Sequence, residues 1–114
     1  IGTGTFANSS GVSPWLSYAD QINRIAFVGQ VEAAVNSSGL FKSLLNVKVI
    51  SDLQQLNTTN VTNMSKMFMD MRSLSALDVS SFDTSKVTTM SEMFSWMDKL
   101  TTLNVSNFDT RSTV

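Results

Sequence analysis

Carboxylate and amide side chains at one repeated position are the first groups in this sequence whose spacing could support chemistry. Asn57, Asp83 and Asp109 recur at intervals of 26 residues. If adjacent copies lay side by side as strands do, these groups would be about 5 Å apart, and a calcium ion could bridge them because Ca²⁺ prefers oxygen ligands. Alternatively, each side chain accepts backbone N–H groups in its own turn. Asn57 in the first copy and the lack of other acidic ligands favour the turn, so we predict no metal site.

Methionines form the second candidate. Thioether sulfur can bind copper, and flexible methionines can also make an adaptable binding surface. The spacing i, i+3, i+4 and i+7, shared with phenylalanine, is more typical of the buried face of a helix. We therefore predict that six methionines are core residues: Met64, Met67, Met71, Met90, Met93 and Met97.

Two residue types are missing, and with them most familiar catalytic groups. The chain has no cysteine and no histidine, which removes thiol nucleophiles, imidazole bases and the Ser-His-Asp triad. A carboxylate-based glycosidase needs paired acids in a cleft, whereas the acids here are scattered or occupy repeated turn positions. We predict a protein that is not an enzyme and has no catalytic residues and no cofactor.

The charge balance excludes further classes of partner. Eight basic residues stand against nine acidic ones, for a net charge of −1. Nucleic-acid binding rests on clustered lysine and arginine, so no nucleic-acid partner is expected. No apolar run approaches the roughly 18–20 residues of a membrane span, so we expect no membrane insertion in this segment.

An internal repeat supplies the elements that would position these side chains. Two copies of 26 residues align with eight apolar positions in step. A degenerate copy precedes them with one extra residue near 51–55, and a cap with β-structure precedes that copy. The predicted order is cap, degenerate repeat, two full repeats and the start of a truncated repeat: 1–39, 40–55, 56–81, 82–107 and 108–114.

The apolar period changes halfway through each repeat. The methionine stripe predicts a short helix that begins at Thr89, where Glu92 completes a capping box. Residues 103–106 then alternate apolar and polar, as a short half-buried strand does. One short parallel strand and one short helix per repeat is the leucine-rich-repeat arrangement. We therefore predict an α/β fold, a leucine-rich-repeat-like solenoid.

Polar side chains that alternate outward from the predicted strands are candidate ligand residues: Asp78, Ser80, Thr102, Asn104 and Ser106. Repeat proteins commonly bind on such a face, although any solvated sheet shows the same polarity. Trp96 lies outside the apolar stripe and is either a contact hot spot or a cover over the neighbouring repeat. Asn-x-Ser/Thr, the pattern of an N-glycosylation site, occurs six times, and most of these matches are interpreted as accidental in a chain rich in serine and threonine: Asn8, Asn36, Asn57, Asn60, Asn63 and Asn104.

Two stretches, 57–68 and 73–87, resemble the 26-residue repeats of bacterial surface proteins, the BspA-like leucine-rich-repeat proteins. Three upstream segments are similar to the region before those repeats: Ser13-Pro14-Trp15, Ile25-Ala26-Phe27 and Ser38-Gly39-Leu40-Phe41. The resemblance implies a solenoid displayed outside the cell, on the bacterial surface or cell wall, by an anchor outside this chain. It also implies a role in adhesion. Trp96 departs from the family pattern, which has a small or polar residue there.

Two functions follow from these observations. The first is a surface interaction module that binds a host or environmental protein or glycan through its repeats. The second is an architectural spacer with no ligand of its own. An uncovered strand edge is also prone to pair with another chain, so self-association through the uncapped C-terminal edge is a further expectation.

Overall fold

Short parallel strands joined by turns make up the computed structural model, which describes residues 1–111. The seven strands are β1 (Gly4–Thr5), β2 (Arg24–Ala26), β3 (Val31–Glu32), β4 (Val49–Ser51), β5 (Leu56–Asn57), β6 (Ala76–Asp78) and β7 (Thr102–Asn104). Two 3₁₀ helices occupy Leu16–Tyr18 and Leu53–Gln55. The predicted further repeat at 108–114 lies partly outside the described residues.

The strands form three small parallel sheets, in the orders β1-β3-β5, β2-β4 and β6-β7. Paired residues lie 25 to 27 positions apart, as in Gly4 with Val31, Ile25 with Ile50, and Leu77 with Leu103. Parallel neighbours need a crossover connection, and here each crossover is about one repeat long. The same parallel pairing extends into residues 1–39 through β1, β2 and β3.

A column of stacked aromatic rings runs through the core. The ring centroids of Trp15 and Phe41 are 5.6 Å apart, those of Phe41 and Phe68 5.4 Å, and those of Phe68 and Phe94 5.9 Å. Trp15 comes from the segment before the repeats and each phenylalanine from a successive repeat, and neighbouring rings are nearly parallel and offset. Parallel stacking of this kind adds to the stabilisation that comes from burying the rings.

The prediction that the methionines are core residues is confirmed. Five of the six are buried: Met64, Met67, Met71, Met93 and Met97. Met90 is partly buried and packs against the same core. Their sulfurs are therefore packing groups, and the adaptable binding surface that they could have formed is not on the outside of the molecule.

The predicted helix is not formed. Lys66, Asp70, Glu92 and Trp96 have φ between 55° and 65°, in the left-handed region, which interrupts a right-handed helix. An α-helix would pair each N–H with the carbonyl four residues earlier. Instead the N–H of Lys66 donates to Ser91 O at 2.9 Å, and that of Asp70 to Ser95 O at 2.8 Å. The prediction of a helix with a capping box at Glu92 was wrong, because the backbone of these segments is hydrogen-bonded to the adjacent repeat.

Two buried threonines, Thr58 and Thr84, form hydrogen bonds between adjacent repeats. The Thr58 hydroxyl accepts a hydrogen bond from Asp83 N at 2.9 Å and donates to Asp83 O at 3.3 Å. One repeat later, Thr84 makes the same pair of bonds with Asp109, at 2.6 and 3.2 Å. Each hydroxyl thus pairs with the backbone N–H and C=O of one aspartate in the following repeat. The sequence pattern did not predict this role.

Replacing Thr58 by valine is expected to lower the free energy of unfolding by about 1–3 kcal/mol, because the isosteric side chain leaves Asp83 N–H without its partner. Urea denaturation followed by circular dichroism measures the change. The Thr58→Ser variant keeps the hydroxyl and loses one methyl group, so its cost should stay near 1 kcal/mol. A Thr58→Val protein as stable as the wild type would show that this hydrogen-bonded pair contributes no stability.

Candidate functional site

An open groove of about 480 Å³ lies between β4 on one side and the β6–β7 sheet on the other. Residues from three successive repeats line it: Lys48, Val49, Ile50, Ser75, Ala76, Leu77, Asp78, Thr102 and Asn104. Its floor contains the buried Leu77, while Val49 is 47% exposed at the wall. The groove therefore combines apolar surface with polar groups at its rim, as binding sites commonly do.

The groove exists because the parallel sheet is interrupted at this point. Over the described part of the chain, β4 pairs only with β2, and β6 only with β7. Directly after β4, Asp52 adopts a left-handed conformation with φ of 60°, and the 3₁₀ helix Leu53–Gln55 follows. This is the segment in which the sequence carries one extra residue. The irregular backbone replaces the continuation of β4, and β4 and β6 are left without hydrogen bonds to each other.

Three of the predicted ligand residues line this groove, namely Asp78, Thr102 and Asn104. Ser80 and Ser106 do not line it, and their hydroxyls instead hold the rim side chains. Ser80 Oγ donates to Asp78 Oδ1 at 2.5 Å, and Ser106 Oγ donates to Asn104 Oδ1 at 2.7 Å. The serines therefore fix the orientation of two side chains at the groove.

Hydrogen bonding also lowers the pKa of two aspartates, Asp78 at the rim of the groove and Asp83, which does not line it. Asp78 accepts the Ser80 hydroxyl and the Ser80 backbone N–H, and these bonds lower the pKa of its carboxyl group because they favour the charged form. Asp83 is held in the same way by Ser85, with the same direction of pKa change. Both carboxylates are ionised at neutral pH.

The turn interpretation of the repeated Asn57, Asp83 and Asp109 position is confirmed. Each side chain accepts the backbone N–H two residues later, at 3.0 to 3.1 Å. At Asp109 the side chain and then the backbone N–H of Arg111 lower the pKa to about 2. Between residues 1 and 111, no group of three or more histidine, cysteine, aspartate or glutamate side chains is placed so that it could hold a metal ion.

The Asn-x-Ser/Thr matches have a structural cause that the sequence analysis missed. In four of the six, the asparagine Oδ1 accepts both the N–H and the hydroxyl of the residue two positions later: Asn36, Asn57, Asn63 and Asn104. The motif recurs because it closes an Asx turn.

Trp96 lies apart from the groove and contacts the preceding repeat. The Arg72 guanidinium carbon is 4.9 Å from the centre of its ring, within the range of a cation–π interaction. Arg72 in turn pairs with Asp70 and, at 3.6 Å, with Asp98. The tryptophan therefore contacts the neighbouring repeat while its side chain is 60% exposed, and its role as a contact hot spot stays a prediction.

Residues 35–114 match the sequence model of one family, described as a Mycoplasma protein of unknown function, DUF285. The match spans more than half of the chain. The chain belongs to this family. No curated protein and no solved structure matches the chain. Within residues 1–111, no helix is both long enough and apolar enough to cross a membrane.

The DUF285 region contains the whole groove, since β4, β6 and β7 all follow residue 35. It also contains β7, the last strand of the described residues 1–111. Leu103 is 37% exposed, whereas Leu77, its equivalent one repeat earlier, is 4% exposed. Val105 is likewise exposed while Val79 is buried. Two apolar positions that are buried in the preceding repeat are therefore exposed at and just after β7.

Proposed function

We propose that this chain is a non-catalytic interaction module of a BspA-like bacterial surface protein and adheres to a protein or glycan outside the cell. Its DUF285 region would be a leucine-rich-repeat-like solenoid displayed on the cell surface or wall. The 26-residue repeat and the parallel strand pairs at the same spacing support this reading.

The interruption of the sheet between β4 and β6 is the observation that carries the proposal. A pure spacer gains stability from a continuous ladder of hydrogen bonds, and this chain gives up part of that ladder where it forms the groove. Asp78 and Asn104 come from adjacent repeats and are both held in place by serine hydroxyls. Side chains fixed before binding lose less conformational entropy when a ligand arrives.

Filling the groove tests this function. Ala76 is exposed within the groove, so Ala76→Trp should block the groove without disturbing the core. We expect the wild-type chain to bind at least one member of an array of extracellular-matrix proteins and host glycans. The Ala76→Trp variant should bind that member about tenfold or more weakly, which corresponds to about 1.4 kcal/mol.

Ser91→Trp is the matched control, since Ser91 is also exposed and does not line the groove. It should bind as the wild type does, and all three proteins should have the same circular dichroism spectrum and melting temperature. Absence of binding by the folded wild type to every class of macromolecule would overturn the proposal in favour of a spacer. Equal binding by Ala76→Trp would overturn the groove as the site.

A further inference from the structure

We propose that the groove accepts an extended peptide, which pairs its backbone with the facing edges of β4 and β6. This inference rests on the proposed function and names the ligand class of the same site. Strand addition of this kind draws its affinity from main-chain hydrogen bonds, and side chains at the rim supply selectivity.

Unpaired backbone groups on both sides of the groove carry the argument. Phe27 N donates to Ser51 O at 3.0 Å, so the peptide groups of Ser51 point toward β2. Because alternate residues of a strand direct their peptide groups to opposite edges, those of Ile50 point toward the groove. Within the described residues no other strand pairs with that edge of β4. It therefore presents free donors and acceptors to whatever occupies the groove.

The wall formed by β6 also presents unpaired backbone groups to the groove. Thr102 N donates to Ser75 O at 3.4 Å, so the Ser75 carbonyl faces β7. By the same alternation, the peptide groups of Ala76 and Asp78 face the groove. The described part of the chain pairs β6 with β7 alone. Two parallel edges thus border one groove, and an extended chain is the ligand whose own N–H and C=O groups repeat at matching spacing.

The charged residues at the two ends of the groove favour one orientation of the bound peptide and one distribution of its charges. Lys48 immediately precedes β4, and Asp78 is the last residue of β6. In a parallel arrangement, the positive charge therefore lies where the strands begin and the negative charge where they end. A peptide parallel to β4 and β6 is complementary if it has an acidic residue near its N-terminus and a basic one near its C-terminus.

The test is isothermal titration calorimetry on the full 114-residue chain. The probe is a blocked peptide of about seven residues, long enough to exceed walls about 10 Å long at 3.3 Å per residue. It has glutamate near its N-terminus, valine and threonine in alternation, and lysine near its C-terminus. A second peptide exchanges the two charged residues, and a third has N-methyl groups at alternate positions, which remove the backbone donors of one edge.

We expect the first peptide to bind, the N-methylated peptide to bind about tenfold or more weakly, and the charge-exchanged peptide to bind several-fold more weakly. The difference between the two charged forms should shrink in high salt, because exposed charges are screened. Ala76→Trp should lose the binding, and Ser91→Trp should keep it. N-methylation without effect, or no binding at about 1 mM, which corresponds to about 4 kcal/mol, would overturn the inference.

Failure of this inference is distinguishable from failure of the proposed function. If a glycan or a folded protein binds the chain and Ala76→Trp abolishes that binding while no peptide binds, the groove is an interaction site with a different occupant. If the chain forms a dimer that Ala76→Trp dissociates, the occupant is a second copy. In both cases strand addition by a free peptide is wrong, and the groove stays the binding site.

Discussion

Replacing Phe68 by alanine is expected to lower the free energy of unfolding by about 3–5 kcal/mol, the cost of removing a large aromatic ring from a packed core. The Phe68 side chain is fully buried and contacts three other rings, those of Phe41, Phe82 and Phe94. Its loss opens a cavity in the middle of the column and breaks contacts on both sides of it. Domains of this size have about 5–15 kcal/mol of stability in total, so the variant should melt far below the wild type.

Phe94→Ala provides the matched comparison. Phe94 occupies the position equivalent to Phe68 in the next repeat. It stacks on the Phe68 ring, but it is only partly buried. Its truncation should cost roughly half as much, because less apolar surface returns to water. Urea unfolding monitored by circular dichroism gives both values. Equal losses for the two variants would contradict the account in which depth in the column sets the cost.

The second large effect is expected at Gly39. Its φ of +66° is in the left-handed region, and a Cβ built on it would lie 2.6 Å from both the carbonyl carbon and the carbonyl oxygen of Gly11. These are backbone atoms that cannot rotate away, so Gly39→Ala must shift one chain segment against another. Backbone strain and overpacking together should cost about 2–5 kcal/mol, measurable as a lower urea midpoint.

Two controls separate the clash from the conformation. Gly11 also has a positive φ, of 88°, but a Cβ there would meet nothing within 4 Å, so Gly11→Ala should cost only about 1–2 kcal/mol. Lys66 holds the position equivalent to Gly39 one copy later, with φ of 57°, and already carries a side chain, so Lys66→Ala should be near neutral. If Gly39→Ala were no worse than Gly11→Ala, contact with Gly11 would not be the cause.

Much of the core could be predicted from the sequence, because burial depends on apolar residues and their period. Val61, Met67 and Leu74 are buried as their repetition indicates. The backbone between them could not be predicted. Turns stacked on neighbouring repeats keep the same residues inward as a helix would, and the left-handed positions at Glu92 and Trp96 carry side chains that give no sign of a positive φ.

The candidate site was predictable on one wall only. Asp78, Thr102 and Asn104 belong to regular copies, so their outward position followed from strand alternation. The wall formed by 48–50 lies in the degenerate copy, where the alternation is weak. The extra residue near 51–55 marked the place, but loss of pairing between β4 and β6 is a tertiary event that no local pattern encodes.

The interrupted sheet also has a mechanical consequence. The two repeats that border the groove are hydrogen-bonded through their turns, where Phe41 N donates to Met67 O at 2.9 Å. Their strands β4 and β6 are not hydrogen-bonded to each other. Because its strand side has no hydrogen bonds, this junction is expected to bend more easily than a fully paired one. Pulling on the chain would open it toward the groove, and a peptide bonded to both walls would act as a latch across it. In the proposed adhesive function, the ligand would reinforce the junction that tension on the chain opens.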